Sequence, residues 1–61
     1  MTRSELLEKI NKLMSKIEIM LILENDAYEA RLFDIGNLWT DKIYFSQMKL
    51  IELKFRLHGL L

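Results

Sequence analysis

The side chains able to do chemistry are few, and they match no catalytic pattern. His58 is the only histidine, the residue type most often used to move protons in catalysis. It precedes Gly59 in the last turn of a predicted helix, where the helix dipole favours a cation. Ser46 has no histidine near it in sequence and no elbow motif around it. Asp34 with Asp41, and Glu24 with Asp26 and Glu29, lack the spacing of a calcium loop or a paired ligand set. They read as helix caps and solvated charge. Cysteine is absent, which removes disulfides and thiolate metal sites. No glycine-rich phosphate loop occurs. A chain of 61 residues is also expected to be too short to enclose a pocket of useful size. The sequence therefore predicts no catalytic residue, no cofactor and no metal, and so no enzyme.

Lys49, Lys54 and Arg56, with His58, are the best basic group for nucleic acid, and Tyr44 and Phe45 could stack on bases. On a helix Lys49 and Arg56 are in phase but Lys54 is not. A small RNA- or DNA-binding regulator is the alternative function. Ser46-Gln47 begins the Ser-Gln-x-Leu-Asp signature of small helical-hairpin sporulation phosphatases. Lys49 and Leu50 stand where that signature has leucine and aspartate, so no family assignment follows.

The elements that carry these residues show in the apolar spacing. Thr2-Arg3-Ser4-Glu5 has the form of a capping box. Leu6, Ile10, Leu13, Ile17 and Met20 follow at alternating intervals of four and three, with Glu24 next in phase. This is a helix stripe of coiled-coil type, and it predicts a helix over about 4–23. Glu5–Lys9 and Glu8–Lys12 support it as i,i+4 pairs. Ile19, Ile22 and Leu23 point off the stripe, so the end of this helix is expected to be covered on all sides. Glu24-Asn25-Asp26 reads as a break. Asp26 with Glu29 resembles a second cap and starts a helix over about 27–36, with Tyr28, Leu32, Ile35 and Trp39 following at 4-3-4 spacing. Gly36 reads either as a left-handed terminator or as a tolerated glycine within a longer helix. Thr40 or Asp41 can cap a third helix over about 41–58. In it Tyr44, Met48, Ile51 and Phe55 form a stripe, flanked by Ile43, Leu50 and Leu57. Ser46 falls on the polar side, and Gly59 ends the segment.

The predicted fold class is all-α: a single small domain, built as a helical hairpin or as three short helices. The alternative is α+β. Ile51, Leu53, Phe55 and Leu57 alternate with Glu52, Lys54 and Arg56, as in a half-buried strand. Asn25-Asp26 would then turn a small antiparallel sheet behind an N-terminal helix, and such a protein could inhibit a partner through its sheet edge.

Charge is balanced, with nine basic and nine acidic residues, so nothing global favours nucleic acid or an anionic membrane. The longest apolar run, Ile19 to Leu23, is far short of the ~20 residues a membrane span needs. No secretory signal precedes the first helix, and a cytoplasmic location is the expectation. Apolar residues make up 51%, a high share for a chain with so little interior. A second copy covering the surplus would give a dimeric four-helix bundle. The expected function is protein–protein interaction, as a regulator, inhibitor or assembly subunit. The expected interface residues are Leu6, Ile10, Leu13, Ile17 and Met20 on the first stripe, with Tyr44, Met48, Ile51 and Phe55 on the second. Phe33, Trp39 and Phe45 are the expected aromatic anchors.

Overall fold

A computed structural model describes residues 2–59. Two α-helices, α1 (Arg3–Glu29) and α2 (Phe33–Gly59), each of 27 residues, pack as an antiparallel hairpin. At 1.5 Å per residue each helix is about 40 Å long, which sets the long axis of a molecule measuring 45 × 15 × 13 Å. The all-α hairpin is borne out. No strand occurs among the described residues, so the alternation in 51–57 is a helix surface and not a strand. The three-helix variant is also replaced: residues 27–36 are divided between α1, the turn and α2, and residues 41–58 continue α2 without a break.

Thr2 caps α1: its Oγ1 accepts the Glu5 backbone N–H at 3.1 Å and donates to the Glu5 carboxylate at 3.1 Å. Glu5 is thereby held at the cap. Of the two predicted charge pairs only Glu8–Lys12 forms, at 3.4 Å.

Glu24-Asn25-Asp26 does not end the helix. Glu24 holds the next place in the apolar stripe and accepts a hydrogen bond from Thr40 on α2. A carboxylate is tolerated there because it has found a donor. Ala27 follows in phase and is buried.

The true turn is Ala30-Arg31-Leu32. Leu32 N–H donates to Ala27 C=O at 2.8 Å and Arg31 N–H donates to Tyr28 C=O at 3.0 Å. These are the two bonds of a Schellman motif. Its left-handed position is Arg31, at φ 62°, where glycine is the usual residue. Neither glycine has a positive φ, with Gly36 inside α2 and Gly59 its last residue, so neither is a left-handed terminator.

The core is one seam between the helices. On α1 it runs through Leu6, Ile10, Leu13, Ile17, Met20, Glu24 and Ala27. On α2 it runs through Gly36, Trp39, Ile43, Ser46, Leu50, Leu53 and Leu57. Leu6, Ile10 and Leu53 form one cluster, and Ile17, Met20 and Ile43 the other. Leu13 and Leu50 pack against both. Ala27 and Gly36, the two smallest seam residues, lie near the turn. A Cβ on Gly36 would stand 2.5 Å from Tyr28 Cε1, so the Tyr28 ring occupies the space a side chain would need. The Tyr28 hydroxyl donates to Asn37 Oδ1 at 2.8 Å and lies 2.9 Å from Thr40 Oγ1. Thr40 Oγ1 also lies 3.1 Å from the Gly36 carbonyl. Thr40 thus ties the helices together and caps nothing.

Candidate interaction surface

The two predicted stripes have opposite fates. On α1, Leu6, Ile10, Ile17 and Met20 are buried and Leu13 is half-buried. They form the hairpin core. On α2 the stripe Tyr44, Met48, Ile51 and Phe55 points away from α1. Ile51 is 49% exposed and Phe55 is 74% exposed. Its predicted flanks, Ile43, Leu50 and Leu57, supply the core instead, joined by Leu53 and half-buried Ser46. Two apolar registers share one helix, and the less apolar one faces inward. Of the predicted anchors, Phe33 and Phe45 are exposed and Trp39 is half-buried against the second cluster.

Among the described residues, fourteen large apolar side chains are exposed and seven apolar residues are buried. The hairpin therefore leaves most of its large apolar side chains outside. The surface area agrees. A compact monomer of 7.3 kDa exposes about 4,200 Å² by size scaling. This chain exposes 4884 Å². The excess, roughly 700 Å², goes with the elongated shape of a two-helix rod, 45 × 15 × 13 Å, that has no third layer to cover its faces.

Register divides the surface into two sides. Tyr28 and Thr40, bonded to each other, mark one. On that side Leu7, Met14 and Leu21 recur at every seventh residue of α1, and Tyr44 and Ile51 do so on α2. Glu18 and Lys54 are the formal charges among its positions. Met48 and Phe55 extend it round the back of α2.

The other side holds an open groove of about 920 Å³ between the helices, a surface feature and not an enclosed pocket. Half-buried Trp39 and buried Met20 lie at its base. Ile19, Leu23 and Phe45 form its walls, and Lys12, Lys16 and Lys42 stand on its rim. Lys42 Nζ lies 5.3 Å from the centre of the Trp39 ring, within cation–π range. The basic residues that gather are thus these three, which the spacing of Lys49, Lys54 and Arg56 did not single out. Arg56 is paired with Glu52 at 2.9 Å, and Lys54 is on the opposite side from Lys49. Lys12 and Lys16 are one turn apart and in row with the wall residues, a signal the sequence does carry.

His58 and Ser46 are on different sides of α2. No group of three or more potential metal-ligating side chains occurs among the described residues. No helix is long and apolar enough to cross a membrane among the residues described. No family model, curated protein or solved structure gives a match to the chain.

Proposed function

We propose that this chain is a non-enzymatic interaction module that works through apolar helix faces, and that a second copy of itself is its first partner. The observation behind the proposal is the apolar surplus outside the hairpin, to which Tyr44, Met48, Ile51 and Phe55 contribute an exposed stripe along α2. A contiguous apolar face of this kind favours association.

The side marked by Tyr28 is the one suited to a second copy. It carries Leu7, Met14, Leu21, Tyr44 and Ile51 and has few charges, so its self-pairing brings few like charges together. Two hairpins pairing there make a four-helix bundle, the usual way for helical hairpins to cover a second face. The assembled bundle would then present its remaining surfaces to other proteins, in the manner of a small regulator, inhibitor or assembly subunit.

Ile51→Asp tests this reading without touching the seam. Size-exclusion chromatography with light scattering should give twice 7.3 kDa for the unaltered chain and 7.3 kDa for the variant. An unaltered chain and a variant of equal mass would remove this face from the interface.

A further inference from the structure

We infer that the groove between α1 and α2 is a docking site for an acidic amphipathic helix of another protein. The groove is open and runs beside residues 11–23 of α1. Twelve residue steps at 1.5 Å give about 18 Å, the length of three helical turns. Its floor and walls are mainly apolar, through Met20, Ile19, Leu23, Trp39 and Phe45, with the Ser46 hydroxyl among them. This is the form of a helix-in-groove site, where an apolar stripe fills the slot.

Charge then selects the occupant. Lys12, Lys16 and Lys42 line the rim, and no carboxylate lines the groove. Lys12 is shared with Glu8. Lys16 and Lys42 have no carboxylate within ion-pair distance among the described residues. A ligand helix with an apolar stripe and carboxylates on its shoulders satisfies both the floor and the rim. A second copy of this chain does not fit. Antiparallel pairing of two groove faces would set Lys16 and Lys42, both near the middle of the hairpin, against the same lysines of the other copy. A bilayer surface does not fit either, because its headgroups cannot follow a concave slot whose base is a buried methionine. The groove lies on the side opposite the self-association face, so it is open to a ligand whether or not the chain dimerises.

Trp39 is the only tryptophan, so its emission reports directly on occupancy. The probe is an 18-residue synthetic peptide with leucine at helical i, i+3, i+4, i+7 spacing and glutamate elsewhere. A twin with lysine for glutamate is the control. The glutamate peptide should shift Trp39 emission to the blue in a saturable way, and the lysine twin should not. Lys12→Gln/Lys16→Glu, which leaves the Lys42–Trp39 contact in place, should weaken binding by about tenfold or more. The same variant should keep the molar mass of the unaltered chain, so a failure here is distinguishable from a failure of self-association. No emission change, or equal response to both peptides, would overturn the proposal. So would a shift with anionic phosphatidylglycerol vesicles and none with the peptide.

Discussion

Gly36→Ala should destabilise this protein, although alanine is the better helix former. In an open helix interior the exchange gains about 1 kcal/mol. Gly36 is not in the open. Its new Cβ would stand 2.5 Å from Tyr28 Cε1, 2.7 Å from Cδ1 and 2.8 Å from Cζ. The ring has to move, and its hydroxyl is held by Asn37 and Thr40. Overpacking of this kind costs about 1–3 kcal/mol, and loosening the hydrogen bond from the ring hydroxyl to Asn37 adds about 1 kcal/mol. The overpacking and hydrogen-bond costs exceed the propensity gain, leaving a net loss of about 1–3 kcal/mol. In a domain this small each kcal/mol moves the thermal midpoint by about 4–8 °C. Circular dichroism melts of the variant at fixed chain concentration measure it. The decisive control repeats the exchange in a Tyr28→Ala background. There the ring is gone, and Gly36→Ala should raise the midpoint by the propensity term alone. A higher midpoint for Gly36→Ala in the unaltered chain, or the same loss in both backgrounds, would refute the reasoning.

Arg31→Gly should raise the melting midpoint, since Arg31 holds φ 62° at a cost of about 1 kcal/mol that glycine avoids; an unchanged or lower midpoint counts against the turn described. Ile17→Asp places a charge at a site 7% exposed within the second core cluster and should abolish the helical dichroism. Ile51→Asp, on the outer face, should keep that dichroism at millimolar chain concentration, and equal loss in both would erase the distinction between seam and surface.

Helix type was legible in the sequence because the α1 stripe is regular from Leu6 to Met20 and polar on its far side. The end of that helix was not. Glu24-Asn25-Asp26 has the composition of a turn, while the real turn, Ala30-Arg31-Leu32, has no glycine, proline or asparagine to announce it. Glu24 stays helical because Thr40, sixteen residues away, hydrogen-bonds its carboxylate, and no local pattern displays such a partner.

The inward register of α2 was hidden for a related reason. Periodicity locates apolar faces but does not say which of two faces the first partner covers. Ile43, Ser46, Leu50 and Leu53 include a serine, and Tyr44, Met48, Ile51 and Phe55 do not, so the outer stripe is the stronger signal. That exposed stripe is what the proposed self-association rests on. The groove was not legible because Lys42 is on α2 and meets Lys12 and Lys16 of α1 only once the two helices are packed.

The solution molar mass, followed by light scattering through a dilution series, tests most directly whether a second copy covers the outer apolar face. Self-association through that face predicts twice 7.3 kDa at high concentration, falling toward 7.3 kDa only on strong dilution. A mass of 7.3 kDa at every concentration would contradict it.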